Sequence, residues 1–299
     1  MFWTPDFAGV TTQETFYEFI KIGKAQIYFC LTAPGKHSMI FYLEDELNSP
    51  KRIKKKAARV LVISAHPDDV DFGCGGTLAK WAREGMEIVY TICTSGEKGT
   101  DDPSIPNHAL ALIREKEQRA AAKVIGAREV IFLRKPDGEL QYSLEFRGEL
   151  VRVIRQFRPN ILFTHDPANR AFDNQYIFHS DHRVVGKLVF DAAYPAALNR
   201  NFYPGHLAEG LFPHGVSEMY FFATGQPDTW MDIGATLDLK IKALRCHASQ
   251  IKNPAIMEEL VRTWFGTWGR EKGFAYAERF RRLQIFQDPG QRLRHLKQS

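Results

Sequence analysis

The stretch that decides the fold is Arg59-Val-Leu-Val-Ile-Ser-Ala65, an apolar run that ends directly in His66-Pro-Asp-Asp69. A short run of aliphatic, mostly β-branched residues is typical of a strand buried on both faces of a parallel sheet. One imidazole and two carboxylates follow it, and parallel sheets place their ligand sites at the carboxyl ends of their strands. The segment therefore predicts a central strand with a polar site at its end.

Three further runs have the same character, and a segment with helical periodicity follows each of the four. The predicted strands are Val60–Ala65, Ile88–Thr94, Val130–Arg134 and Asn160–His165, and the predicted helices are Gly75–Arg83, Leu110–Ile125, Leu144–Gln156 and Asp181–Ala193. Strands that alternate with helices build a parallel sheet covered on both faces. We predict an α/β fold: a three-layer αβα, Rossmann-like, mostly parallel sheet with an N-terminal extension.

The first fifty or so residues do not follow this alternation, and a lysine-rich run at 51–56 marks the change in composition. We predict an N-terminal extension at 1–57, a main domain at 58–285 and a C-terminal tail at 286–299. The extension is too aromatic for a typical disordered tail, and its pattern allows short strands or a helix around Gln13–Ile22. A natural start at Met39 is an alternative.

The composition limits the partners that we expect. Forty basic and 35 acidic side chains give a formal net charge of +5 over 299 residues, which is too diffuse to predict nucleic-acid binding. No apolar run reaches membrane-spanning length, and the N-terminus lacks a charged segment followed by an apolar one. The four cysteines lack CxxC spacing and favour reduced thiols. We therefore expect a cytoplasmic protein without a membrane segment.

A second polar motif, His179-Ser-Asp-His182, lies far downstream. Its two imidazoles are spaced so that a helix start places them on roughly one face. Catalytic zinc commonly takes three protein nitrogen or oxygen ligands and leaves a fourth position for water. We predict that His66, Asp69 and His182 are these ligands and that the ion is Zn2+, with Fe2+ or another divalent ion as the alternative.

These motifs resemble those of the zinc-dependent N-deacetylases of the LmbE / PIG-L family. Ala65-His-Pro-Asp-Asp69 with Asp71-Phe-Gly-Cys-Gly-Gly-Thr77 is similar to the first family signature, and Ser180-Asp-His-Arg183 after His179 is similar to the second. Weaker matches follow the family order at Thr94–Gly99, Ile113–Glu117, Pro136–Leu140, Lys242–Gln250 and Ala277–Phe280. The resemblance implies a hydrolase that removes the acetyl group from an N-acetylglucosamine-type amino sugar or conjugate, releasing acetate and a free amine.

The resemblance also implies roles for the catalytic residues. Asp68 would be the general base that takes a proton from water beside the metal. His179 would be an imidazolium that stabilises the oxyanion or protonates the leaving amine. Asp181 is expected to hold His179 in its charged form.

By the same resemblance, Arg114 and Asp137 would bind sugar hydroxyls, since a guanidinium and a carboxylate suit paired hydrogen bonds. Each has a structural alternative. Arg114 can pair with Glu115 or Glu117 on its own helix, and Asp137 lies in a Pro-Asp-Gly sequence that is a common turn.

Other functions stay open at this point. An amidase could cleave another N-acyl group or a glucosamine-thiol conjugate. A sugar-binding protein with a silent site is disfavoured because Asp68 is present, and a dinucleotide-binding oxidoreductase is disfavoured because Gly73-Cys-Gly-Gly76 lacks the G-x-G-x-x-G spacing. The expected partner is a small amino-sugar substrate, and the family resemblance and the aromatic N-terminal segment are compatible with a homo-oligomer.

Overall fold

The computed structural model describes residues 58–169 and 177–285, together with the backbone of three strands between residues 17 and 43. The chain divides into two compact units, Met1–Lys55 and Lys56–Ser299. The predicted C-terminal tail at 286–299 lies outside the described residues.

The first unit contains a three-stranded antiparallel sheet. Its strands are Tyr17–Ile22 (β1), Ala25–Thr32 (β2) and Lys36–Leu43 (β3), in the order β1-β2-β3. Short strands are thus the correct alternative for this segment. The helix around Gln13–Ile22 is wrong, because the last six of those residues pair with β2.

The second unit is built on a seven-stranded sheet. Its strands are Arg59–Ser64 (β4), Glu87–Thr94 (β5), Glu129–Lys135 (β6), Ile161–His165 (β7), Glu218–Phe222 (β8), Thr229–Asp232 (β9) and Ala277–Gln284 (β10). They lie in the order β6-β5-β4-β7-β8-β10-β9. All pairs from β6 to β8 are parallel, whereas β10 is antiparallel to both β8 and β9. The mostly parallel sheet is confirmed.

Helices cover both faces of this sheet. They are Asp69–Arg83 (α1), Asn107–Ile125 (α2), Leu144–Phe157 (α3), Ser180–Asp191 (α4), Gly205–Ala208 (α5), Leu237–Leu244 (α6) and Pro254–Arg270 (α7), and the segment Ala192–Ala197 follows α4 with a kink at Tyr194. Among the described residues, none of these helices has the length and apolar character needed to cross a membrane.

The side chains of β4 show why the unit has three layers. Leu61 and Ile63 pack in one core with α3 and α4, whereas Val60 and Val62 pack in a second core with α1 and α2. Successive strand residues point to opposite faces, so a strand that is apolar at every position needs cover on both sides. The αβα architecture follows from this run.

The start of α1 differs from the prediction. The helix begins at Asp69, not Gly75, so Gly73 also lies inside it. A Cβ atom on Gly73 would lie 2.7 Å from Phe222 Cδ2, and one on Gly76 would lie 2.9 Å from Ile233 Cγ2. These glycines therefore serve the close approach of α1 to its neighbours.

The strand order locates the functional site. The connection from β4 through α1 leads to β5 on one side, and the connection from β7 through α4 leads to β8 on the other. Chains that leave two adjacent parallel strands in opposite directions open a crevice at the strands' carboxyl ends. His66 follows β4 and His165 ends β7, so both lie at this crevice.

Candidate active site

The three predicted metal ligands come together at the carboxyl end of β4. His66 Nδ1 lies 3.2 Å from His182 Nε2 and 3.6 Å from Asp69 Oδ2, and Asp69 Oδ1 lies 3.1 Å from His182 Nε2. Ligand atoms placed tetrahedrally around one zinc ion are roughly 3.3 Å apart. Both His66 and Asp69 thus approach His182, although the two Asp69 distances involve different oxygens. Among the described residues, the groups whose single donor atoms all lie within 4.8 Å of one another are His66/His179/His182, Asp69/His165/His182 and His66/Asp137/Asp181, and the predicted ligand set stays a prediction.

The charges around His66 also fit a cation. Its Nε2 lies 3.1 Å from Asp137 Oδ1 and 3.2 Å from Asp181 Oδ2. Burial lowers the pKa of His66, but its hydrogen bonds to Asp137, Asp181 and Asp69 outweigh burial and raise that pKa to about 12. These carboxylates therefore favour positive charge here, which a metal ion on Nδ1 would supply while Nε2–H donates to a carboxylate.

The carboxylate of Asp181 contacts His66, not His179 as the sequence suggests. It also accepts hydrogen bonds from the backbone N–H groups of Gly138, at 2.8 Å, and Leu140, at 3.3 Å. The contact with His179 runs through the backbone, because the N–H of Asp181 donates to His179 Nδ1 at 3.2 Å. In this geometry Asp181 helps to orient His66, a predicted metal ligand.

His179 stands at the exposed edge of the site. Desolvation, and then the positive charge of His66, lowers the pKa of its ring, which favours the neutral imidazole over the expected imidazolium. Because Nδ1 accepts the N–H of Asp181, the ring proton of the neutral form lies on Nε2. His179 can therefore act as a neutral hydrogen-bond donor.

Asp68 is next to the ligand set but makes no contact of its own with His66 or His182 among the hydrogen bonds and ion pairs of the described residues. Its carboxylate Oδ2 lies 3.3 Å from Arg114 Nη2. Burial, followed by the charge of Asp69, raises the pKa of Asp68 to about 6. A carboxyl group with a pKa near neutrality is suited to general-base catalysis.

Arg114 lies at the site and is only 5% exposed. Its Nη1 donates to the carbonyl of Gly96 at 2.9 Å, and its Nη2 donates to the carbonyl of Pro67 at 2.8 Å. The same-helix alternative is wrong, because Glu115 pairs with Arg134 and Arg119 instead, and Glu117 accepts from Ser249. Only Nε lacks a hydrogen-bond partner within the described chain.

Asp137 is likewise brought to the site, within the Pro-Asp-Gly turn. Its Oδ1 faces His66, and its Oδ2 accepts the backbone N–H of Lys98 at 3.0 Å. Its own N–H donates to Glu97 Oε1 at 2.8 Å. The turn therefore positions a carboxylate beside a predicted metal ligand, and sugar binding by this residue stays a prediction.

His165, for which the sequence leaves a packed imidazole and a site participant equally open, lies against the predicted ligands. Its ring stacks on that of His182, with centroids 4.1 Å apart and planes 13° from parallel. Its Nε2 lies 3.3 Å from Asp69 Oδ2. Burial lowers the pKa of His165 to about 4, so the ring is neutral. The signal that could have found it is its position at the end of β7.

The known proteins whose sequences are similar to this chain include deacetylases. Residues 61–193 match the family model described as PIG-L: GlcNAc-PI de-N-acetylase. The diacetylchitobiose deacetylase of Thermococcus kodakarensis is 35% identical over 246 residues, which cover 82% of this chain and 89% of that protein. A 1D-myo-inositol 2-acetamido-2-deoxy-alpha-D-glucopyranoside deacetylase of Thermobispora bispora is 31% identical over 245 residues, covering 64% of this chain and 79% of that protein.

A solved structure is similar over the same region. The N,N'-diacetylchitobiose deacetylase from Pyrococcus horikoshii matches with a TM-score of 0.70 and 33% identity, covering 84% of this chain and 94% of that one. Sequence and structure thus relate most of the described chain to deacetylases of one fold. With such identity over more than two thirds of its length, the chain belongs to the PIG-L family of de-N-acetylases.

Proposed function

We propose that this protein is a metal-dependent N-deacetylase that hydrolyses the acetamido group of an N-acetylglucosamine unit in a small saccharide or conjugate. The central observation is that donor atoms of His66, Asp69 and His182 lie 3.1–3.6 Å apart, with the Asp68 carboxylate next to them but outside the set. Membership in the PIG-L family supports the same reaction.

Zinc is the ion that we propose for this site. Two imidazoles and one carboxylate with an open fourth position are a donor set that catalytic zinc takes. When bound, the ion would polarise the amide carbonyl and make a water molecule more acidic.

The proton transfers are assigned to residues of this chain. Asp68 accepts a proton from the attacking water, and Arg114, 3.3 Å away, favours the ionised carboxylate that this step needs. His179 donates through Nε2–H to the carbonyl oxygen as negative charge develops there. The departing amine must then receive a proton, and Asp68 delivers the one that it accepted from the water, while the neutral ring of His179 keeps its Nε2–H.

Sugar recognition is assigned to Arg114 and Asp137, as an extension of the proposal. Asp137 lies beside a predicted metal ligand, where the acetamido end of a sugar would bind, and Arg114 is near enough for its charge to help lower the pKa of the Asp137 carboxyl. Substitution of either residue should raise KM for the sugar more than substitution of a residue outside the site.

The test is acetate release from N,N'-diacetylchitobiose. The zinc-loaded protein should release acetate, dialysis against a chelator should stop the release, and added zinc should restore it. Asp68→Asn should abolish turnover while the zinc content stays that of the wild type. A fully zinc-loaded wild-type protein that releases no acetate from any substrate of the panel below would refute the proposal.

The substrate panel separates the proposal from its alternatives. It contains N-acetylglucosamine, N,N'-diacetylchitobiose, an inositol-linked N-acetylglucosamine and a glucosamine-thiol conjugate with another acyl group. Preferred cleavage of the last compound would identify a different amidase, and tight binding without release of acid would identify a sugar-binding protein. A homo-oligomer and a cytoplasmic location are further predictions, to be tested by light scattering and cell fractionation.

A further inference from the structure

Helix α2 holds the peptide unit between Pro67 and Asp68 at both of its polar ends. Arg114 Nη2 donates to the Pro67 carbonyl at 2.8 Å, and Gln118 Oε1 accepts the Asp68 N–H at 2.8 Å. The two side chains are four residues apart on α2 and so lie on one face of it. Gln118 is fully buried and Arg114 nearly so. One helix thereby sets the orientation of this peptide unit.

The backbone of Asp68 needs such support. Its φ is 92° and its ψ is −32°, close to the roughly 80° and 0° of the third position of a type II turn, where glycine or asparagine is preferred after proline. A glycine would remove the strain but also the carboxylate. On the other side, the carbonyl of Asp68 accepts the N–H of Phe72 at 3.0 Å. Both peptide units that flank Asp68 are therefore held.

The two partners of the Gln118 amide determine which way it points. Gln118 Nε2 donates to Asp71 Oδ2 at 2.8 Å, and His247 Nε2 lies 2.9 Å from the same oxygen. Because the Asp68 N–H can only donate, Gln118 must turn its oxygen to that group, which leaves its NH2 group to donate to the Asp71 carboxylate. Asp71 and His247 are fully buried. This assigns a contact to the Lys242–Gln250 segment, which the proposed reaction leaves without a role.

We propose that Gln118 is a positioning residue for deacetylation. Supported by Asp71 and His247, it holds the backbone of Asp68 so that this carboxylate stands beside the metal ligands and does not join them. The inference rests on the proposed function, in which Asp68 is the base. Gln118 acts only through Asp68, since its hydrogen bonds in the described structure go to Asp68 and Asp71.

The first test is Gln118→Met, which keeps the length of the side chain but removes the acceptor. With N,N'-diacetylchitobiose as substrate, kcat should fall roughly 100-fold, the scale of a misplaced catalytic group. KM should stay within about two-fold of the wild-type value, because the substrate contacts are unchanged. The zinc content should also be that of the wild type, since the three ligands are untouched.

The second test exchanges donor and acceptor. Gln118→Glu keeps an oxygen for the Asp68 N–H but brings a second carboxylate against Asp71, and kcat should fall. Adding Asp71→Asn supplies an amide donor between the two side chains and restores the net charge, so kcat should rise again by at least about ten-fold. Both substitutions conserve side-chain volume, so a role in packing alone would show neither the loss nor the rescue.

The matched control is Arg119→Met on the same helix. Arg119 is bound to the carbonyl of Val130 and makes no contact with Asp68 in the described structure. Its kcat should stay within about two-fold of the wild-type value. A Gln118→Met protein with wild-type kcat, or a Gln118→Glu protein that Asp71→Asn does not rescue, would overturn the inference.

A crystal structure of Gln118→Met gives a readout that does not depend on the substrate. We expect Asp68 to leave its positive φ when the acceptor is lost. An unchanged φ would refute the positioning role even if the wild-type enzyme is active. Conversely, a wild-type protein that releases no acetate would refute the proposed function. The φ of Asp68 in the Gln118→Met structure would then still show whether Gln118 holds the Asp68 backbone.

Discussion

The ammonium of Lys240 lies 2.7 Å from Glu278 Oε1, and neither side chain reaches solvent. Both side chains bind backbone groups of α1. Lys240 donates to the carbonyl of Phe72 at 2.6 Å, and Glu278 accepts the N–H of Gly76 at 2.8 Å. In a regular helix that carbonyl and that N–H would bond to each other. The ion pair thus ties α6 and β10 to the helix whose first residue is Asp69.

Loss of one partner of this pair should be costly. Lys240→Met leaves the Glu278 carboxylate buried without its cation, and we expect the free energy of unfolding to fall by about 3–5 kcal/mol. The double variant Lys240→Met/Glu278→Gln should lose less, since it leaves no unpaired charge. Urea unfolding followed by circular dichroism measures both.

The control for this prediction is the surface pair of Arg262 and Asp238, whose carboxylate is 87% exposed. Asp238→Asn should leave the unfolding midpoint nearly unchanged, because exposed pairs contribute little. A double Lys240/Glu278 variant that is less stable than Lys240→Met alone would contradict the explanation by an unpaired charge.

Two glycines of α1 should respond oppositely to alanine. At Gly73 a Cβ would lie 2.7 Å from Phe222 Cδ2, so Gly73→Ala should destabilise the protein by about 1–3 kcal/mol through overpacking. At Gly75 the nearest atom is Ile125 Cδ1 at 3.7 Å, so Gly75→Ala should be tolerated or stabilise by up to about 1 kcal/mol through lower chain entropy in the unfolded state. Thermal unfolding of the two variants provides the measurement. Equal changes in Tm would argue against a close contact between Gly73 and Phe222.

Arg155 should stabilise the segment after α4. It is 1% exposed, and within the described part of the chain it donates only to backbone carbonyls, those of Ala196, Ala197, Asn199, Phe202 and Tyr203. Arg155→Met should lower the free energy of unfolding by at least about 3 kcal/mol, because buried carbonyls lose charged donors. Hydrogen exchange should rise first at residues 196–203. The half-buried neighbour Arg152 on α3, which pairs with Glu209, serves as control: Arg152→Met should leave exchange in that segment unchanged.

His165 should contribute to metal affinity, because it forms a group with Asp69 and His182 that could hold an ion. His165→Phe keeps a ring for stacking on His182 but removes Nε2, which accepts the Ala65 N–H at 3.2 Å and lies 3.3 Å from Asp69 Oδ2. We expect zinc affinity, measured by competition with a chromogenic chelator, to fall about 10–100-fold, as when the support of a ligand is lost. His206→Phe is the matched control, since His206 stacks on Tyr203 in another part of the unit, and its zinc affinity should equal that of the wild type.

The elements that could be predicted are those whose signal is local. The apolar run of β4 determines its own burial on both faces, and the four predicted strands lie within one or two residues of their observed bounds. Strand β10 was not predicted because its sequence is rich in charge, with Glu278, Arg279, Arg281 and Arg282. Glu278 is nevertheless wholly buried, since Lys240 from α6 neutralises it, and no local pattern contains that information.

In the site, too, local sequence patterns could be interpreted, whereas the individual contacts between distant segments could not. The proximity of His66, Asp69 and His182 could be predicted because their motifs follow the carboxyl ends of neighbouring parallel strands, and their role as metal ligands stays a prediction. The partner of Asp181 could not, because it depends on how the turn at Gly138 packs against α4. A signal for Gln118 was present in its spacing from Arg114, but the residue type alone indicates only a helix surface.

The positive φ of Asp68 implies that the His-Pro-Asp-Asp loop does not encode its own shape. Grafted onto the end of a strand in another scaffold, the four residues would relax towards extended backbone, and the carboxylate meant to receive a proton would turn away. The smallest transferable piece is the loop together with the helix that faces it. A designer who copies this chemistry must import both.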